Sequence, residues 1–302
     1  MKKGKLLSLL LAPALLAGCA APAGVADLSR QFEIGTPVPP EADPAADAAI
    51  GELGAELLRK VRKPGENTLL SPLSIALALS MTAEGADGDT RLEFEALLGA
   101  DTEALSANAA SLLADYEHLG GSTVSSIANS LWLDDSLTAR ELFLSRCTAF
   151  YGAGVYQTDL ATEGARRAVN GWVEENTNGM IPEILTEVPA EDTALLLANA
   201  LYLKNTWEHE FDPLVTREDN FQPAGGSAVV TEFLSNGLRD EGYFRTADAA
   251  GAALPYDDGP AAFLAVLPDG ELDSWLEGLD GGTFSELMAA ADGDTVQFVD
   301  HF

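Results

Sequence analysis

The sequence predicts an α+β fold, with helices first and strands afterwards. Three observations carry this reading. Apolar residues recur at helical spacing through most of residues 48–177. After residue 194 the pattern changes to short apolar runs punctuated by Gly, Pro, Asn and Asp. Strands and helices nowhere alternate regularly, as a βαβ sheet would require.

The elements follow in chain order. Ile50, Leu53, Leu57, Leu58 and Val61 lie at helical spacing and give an amphipathic first helix from about Ala48. Residues 67–70 read as a short strand. Ser71 then caps a helix whose first position is Pro72, where the missing N–H does no harm, and Gly85 and Gly88 end it. Thr90-Arg91-Leu92-Glu93 reads as a capping box opening the next helix, which Gly99 closes. Residues 102–118 are helical, and 124–133 form a strand ending at Asp134-Asp135. Helix returns at about 138–150 and again at 163–177, with Val169, Trp172 and Val173 on one face and Gly179 just beyond its end. Strands are expected at 194–204, 228–234, 242–246, 252–256 and 262–267, a helical stretch at 271–291 and a last strand from Thr295. There is no internal repeat.

The 17 basic residues against 48 acidic ones give a net charge of −31, which repels phosphate backbones and argues against nucleic-acid partners. The charge is dispersed and 47% of the residues are hydrophobic, so the chain is a folded protein with an acidic surface rather than a disordered acidic tail.

The N-terminus has the order of an export signal. Lys2, Lys3 and Lys5 precede the apolar run Leu6 to Ala17. As a helix that run would rise only about 18 Å, short of the ~30 Å hydrocarbon core. Leu16-Ala17-Gly18-Cys19 ends the run and resembles a bacterial lipobox. The resemblance implies cleavage before Cys19 and a diacylglycerol on its sulfur, so residues 1–18 would be a lipoprotein signal peptide and the protein would sit on the extracellular face of a bacterial membrane. Residues 19–47, rich in Ala, Pro and acids, read as a flexible tether, and 48–302 as the folded domain. Cys147 reads as a small hydrophobe on a helix.

No catalytic machinery is legible. His118, His209 and His301 sit in no nucleophile or metalloprotease motif. Glu208-His209-Glu210 could in principle ligate a metal but reads as a solvated strand end, and no metal or cofactor is expected. One stretch stands out instead. From Ala194 to Trp207 an apolar strand carries Asn199, whose four hydrogen-bonding positions cost about 1–3 kcal/mol if buried unpaired.

Three segments together resemble the serpin family. Asn67 to Thr90 is similar to the family's N-x-x-x-S-P-x-S-I motif and the Gly-Ala-x-Gly-x-Thr that follows it. Val169 to Ile181 is similar to I-N-x-W-V-x-x-x-T-x-G-x-I, and the Asn199 stretch to L-x-L-x-N-A-x-Y-F-K-x-x-W, continued by Phe211, Thr216 and Phe221. Leu254-Pro255-Tyr256 and Ala265-Val266-Leu267-Pro268 match later strands in order. Departures are Asn205 where Gly is usual, Phe233-Leu234 for a methionine pair, and Asp300-His301 for Pro and a basic residue.

The resemblance implies helices with three β-sheets around a large central sheet, incomplete at the C-terminus. The family's last helix, a central strand, the hinge and the reactive-centre loop would follow Phe302, so no bait residue can be named. Asn199 would be part of a buried polar switch with Ser71 and Ser74, and Lys204 and Trp207 would mark the end of the sheet where loop insertion begins. The implied partner is a serine, or cysteine, protease, trapped by insertion of the cleaved loop beside the Asn199 strand. A non-inhibitory binding or adhesion module and a non-functional fragment of a longer gene are the alternatives. A polypeptide ending at Phe302 is expected to self-associate through its unpaired strand.

Overall fold

A computed structural model describes residues 24–32, 44–63, 65–120, 123–223, 226–235, 242–257 and 261–292. Cys19 and the expected strand from Thr295, with Asp300, His301 and Phe302, lie outside the described residues. The order is β1 (Ala26–Asp27), α1 (Pro44–Val61), α2 (Pro72–Gly85), α3 (Gly88–Leu98), α4 (Thr102–Glu117), β2 (Val124–Asp134), α5 (Glu141–Tyr151), β3 (Gly154–Thr158) and α6 (Glu163–Asn176). It continues with β4 (Leu195–Lys204), β5 (Arg217–Phe221), β6 (Val229–Phe233), β7 (Tyr243–Arg245), β8 (Ala249–Pro255), β9 (Ala262–Pro268), α7 (Leu272–Gly278) and α8 (Gly281–Asp292). The described strands form three sheets, ordered β1-β3-β2-β4, β5-β6 and β7-β8-β9. This is the α+β arrangement the sequence predicts.

Helix ends follow side-chain chemistry. Ser71 caps α2 by accepting from the Ser74 N–H, with Pro72 at the first position. Gly99, at φ 74°, closes α3 in the left-handed region that costs a side chain most. The start of α3 differs from the expected Thr90 capping box. Asp87 is the cap, accepting from the Gly88 N–H at 2.8 Å, so the helix begins a turn earlier. The helical stretch expected at 271–291 is two helices, broken where Leu279 takes an extended conformation after α7. Residues 67–70 are not a strand: Leu69 is 98% exposed, and among the described residues this segment has no ladder partner.

The four-stranded sheet organises the core because its side chains alternate between faces. Leu131, Leu133, Leu195 and Leu197 turn to one face and pack with Leu77 and Met81 of α2, Ala109 of α4, and Leu144 and Cys147 of α5. Trp132 and Leu196 turn to the other and pack with Ala165, Ala168 and Val169 of α6. Helices therefore cover both faces. Gly54 lets α1 close on α2, since a Cβ there would lie 2.6 Å from the Pro72 ring. Cys147 is fully buried, and burial pushes its thiol well above the usual range, as its reading as a hydrophobe requires.

Part of the stretch expected to be a free tether is docked. β1 pairs antiparallel with β3, Ala26 opposite Gln157 and Asp27 opposite Tyr156. The Leu28 N–H donates to the Val155 carbonyl at 2.8 Å, the Val155 N–H to Ser29 Oγ at 2.9 Å, and Thr158 Oγ1 to the Gly24 carbonyl at 3.1 Å. Leu28 and Phe32 pack against the α2–α5 side of the core, and Val25 against the Trp132–α6 side. Composition gives no sign of this, because the hold is tertiary. Two residues of strand gain their order from a partner 130 positions away in the chain, and α1 likewise begins at Pro44, inside the expected tether.

Candidate functional site: the open edge of the four-stranded sheet

β2 and β4 pair antiparallel over ten residues, from Val124 opposite Lys204 to Leu133 opposite Leu195. Among the described residues β4 has no neighbour on its other side. α6 and the Trp132–Leu196 cluster bound one face of that edge, while α2, through Leu73, packs beside Leu195 and Leu197 on the other. Asn178, at the turn after α6, donates its Nδ2 to the Tyr202 hydroxyl at 3.1 Å and fastens that turn to β4. The edge is thus a slot between two helical layers, open along one row of backbone groups.

Asn199 faces Asn129 across the ladder. Its Nδ2 donates to Asn129 Oδ1 at 2.8 Å, and Asn129 Nδ2 donates to the Tyr151 carbonyl at 2.8 Å. Asn129 is 2% exposed. Asn199 Oδ1 is buried and has no hydrogen-bond partner among the described residues. An orphan acceptor of this kind costs about 1–3 kcal/mol unless another group or water reaches it. Sequence reasoning missed Asn129. Its signal was available: two expected strands of similar length each carry one Asn in an apolar run.

Ser71 and Ser74 form their own pair, Ser71 Oγ donating to Ser74 Oγ at 3.0 Å while capping α2. Both are half-buried, and among the described residues no hydrogen bond joins them to Asn199 or Asn129. The expected switch group is therefore two separate pairs, one on α2 and one across the β2–β4 ladder. Lys204 is exposed at the end of β4. Trp207 bridges to Tyr256, stacks on its ring at 4.9 Å, and meets Phe211 and Phe263 edge-on at 5.8 and 6.1 Å. It thereby clips that end of β4 to the three-stranded sheet. Asn205 donates to Thr123 Oγ1 at 2.5 Å, and its φ is not positive: among the described non-glycine residues only Asn178, at φ 51°, has that conformation. The Gly-to-Asn departure is accommodated without backbone strain.

Among the described residues no group of three or more His, Cys, Asp or Glu could hold a metal ion. Among the described residues the geometry is a sheet edge lying between two helical layers. Residues 48–300 match the family described as serpin (serine protease inhibitor), and the chain belongs to that family, one of inhibitors rather than enzymes. It is 36% identical over 202 residues to Serpin-Z2B of Triticum aestivum, covering 64% of this chain and 50% of that protein. It is 31% identical over 229 residues to the leukocyte elastase inhibitor of Sus scrofa, covering 74% and 61%. The native-state structure of tengpin, a thermophilic serpin, superposes with a TM-score of 0.82 at 27% identity, covering 90% of this chain and 70% of that one. The chain spans about half the length of the wheat and rice relatives that it matches.

Proposed function

We propose that this chain is the greater part of a lipid-tethered, extracellular bacterial inhibitor of serine-type endopeptidases, acting by conformational trapping. One observation carries the reading: among the described residues β4 has a strand on one side alone, and its other edge lies between α6 and α2. A strand entering beside β4 would pair the free backbone row and bring side chains against both helical layers. It would also bring a donor within reach of Asn199 Oδ1. Entry would begin at Lys204 and Trp207, where the aromatic clip to Tyr256 must allow the strand through. Filling an open edge releases the free energy that the unfilled sheet withholds, and that energy can drive a large displacement of an attached protease. Ser71 and Ser74 would act through the position of α2.

The test uses the product of the whole gene, translated to its own stop codon and incubated with trypsin- and subtilisin-like proteases. An SDS-resistant complex and a cleaved, more heat-stable inhibitor are expected. Digestion without complex formation by every protease would overturn trapping and favour a binding module.

The tether is tested separately. Replacing Cys19 by Ala should move the full chain from the membrane fraction to the detergent-free supernatant. The motif order Lys2 to Cys19 supports this expectation. An intact mass with unmodified Cys19 at the mature N-terminus would contradict it.

A further inference from the structure

The docked segment 24–32 settles how far a lipid on Cys19 could let the domain move, and so which end faces the bilayer. This inference rests on the lipidation proposed above. Covalent geometry limits the five steps from Cys19 to Gly24 to about 18 Å. A free run from Cys19 to Pro44, as composition suggests, would allow about 85 Å.

Gly24 has a definite address. Its carbonyl accepts from Thr158 Oγ1, Thr158 stands opposite Asp134, and the Asp134 N–H donates to the Ala194 carbonyl. Gly24 therefore sits at the end of the sheet where β2 and β3 finish and β4 starts. The other end holds Val124 opposite Lys204, with Trp207 just beyond. Ten residues of β4 separate the two ends, about 33 Å at strand rise.

We infer that the lipidated protein stands with its Gly24–Asp134–Ala194 end against the bilayer and its Lys204–Trp207 end toward solvent. The hold is the short leash rather than charge. Asp134, Asp135, Asp159 and Glu163 crowd the lower end, and anionic headgroups would repel them. Screening beyond about 8 Å at physiological salt removes most of that repulsion over a leash of this reach. The end at which a strand would enter beside β4 is then presented to soluble proteases arriving from the medium, not to membrane-embedded ones.

The experiment reads energy transfer to acceptor lipids. The full chain, expressed with its leader and reconstituted in phosphatidylcholine vesicles, carries one new labelled thiol, Asp135→Cys or Lys204→Cys. Cys147 is 0% exposed and a lipidated Cys19 has no free thiol, so labelling is confined to the introduced site. In protein that floats with the vesicles, transfer from position 135 should exceed that from 204 several-fold. Inserting about twenty Gly/Ser residues before Gly24 should keep flotation and abolish the difference. Labels at Asp159 and Val124 repeat the comparison should either first variant misfold. Equal transfer in floating protein, or a difference that survives the spacer, overturns the orientation and leaves the lipid anchor standing. Protein that does not float and carries an unmodified Cys19 overturns the anchor itself, and the orientation with it.

Discussion

A non-lipidated polypeptide of residues 20–302, which keeps the docked segment 24–32, is expected to form oligomers in physiological salt, bind dyes that report exposed apolar surface, and unfold over a broad transition. β4 presents ten residues with one row of backbone groups unpaired among the described residues, the arrangement most open to strand addition from another chain. Leucines at 195, 196, 197, 201 and 203 make that edge apolar, and Leu203 is 40% exposed. The β5–β6 pair adds to it. Both strands are exposed throughout, with Phe221, Val229, Val230 and Phe233 open to solvent, and a two-stranded sheet is at best marginally stable alone. The net charge of −31 opposes association, but charges more than about 8 Å apart are largely screened at physiological ionic strength. Salt should therefore promote the oligomers. Light scattering and calorimetry check this. A monodisperse monomer with one sharp transition in physiological salt would mean that the edge is closed by other means.

The second large effect lies behind the sheet. Replacing Arg146 by Met should destabilise the fold by about 3–5 kcal/mol, a large share of the ~5–15 kcal/mol that holds a typical domain together. Arg146 on α5 donates its Nε to Glu84 Oε2 at 2.5 Å, and its Nη2 lies 2.9 Å from Ser106 Oγ and 3.1 Å from Glu103 Oε2. The Ser106 hydroxyl also donates to Glu84, and the guanidinium lies over the Phe150 ring at 4.9 Å. The Glu84 side chain is only 2% exposed. Without Arg146 it is a buried carboxylate with hydroxyl donors alone, and α2, α4 and α5 lose the group that joins them. The double replacement Arg146→Met with Glu84→Met should recover part of the loss, since the uncompensated charge is the main penalty. Arg245, paired with Asp269 where both side chains are nearly half exposed, is the control: its replacement by Met should cost no more than about 1 kcal/mol. Urea unfolding at low salt and low protein concentration measures all three. Equal losses at Arg146 and Arg245 would contradict the argument.

What was legible in the sequence is what local chemistry determines. β2 and β4 were found within a residue or so because long apolar runs end at Asp or Lys, and Gly99 marked its helix end because only glycine takes that φ cheaply. β3 was missed because five residues between two helices carry too little pattern. β5 was missed because Arg217, Glu218, Asp219 and Asn220 have no apolar alternation at all. The short strand expected at 67–70 failed for the opposite reason, since propensity without a ladder partner makes no strand. At the candidate site, Asn199 was legible as a buried polar problem, but its solution was not. Asn129 is a partner only through the antiparallel register, and the serine pair turned out to be separate from it. The docked segment 24–32 illustrates the same limit, since its order depends on β3 and the core rather than on its own composition.

Trapping by insertion requires β4 to be a receiving edge, and amide hydrogen exchange tests that most directly. The whole-gene product is compared before and after reaction with a protease that it traps. Before reaction, the outward-facing amides of Leu195–Lys204 should exchange faster than those bonded to β2, because a sheet that admits a strand at this edge must open there. After reaction, both sets should be slow, because the inserted strand pairs that row and closes the sheet. If reaction leaves the exchange of the outward amides unchanged, β4 does not receive a strand and trapping by insertion at this edge is wrong.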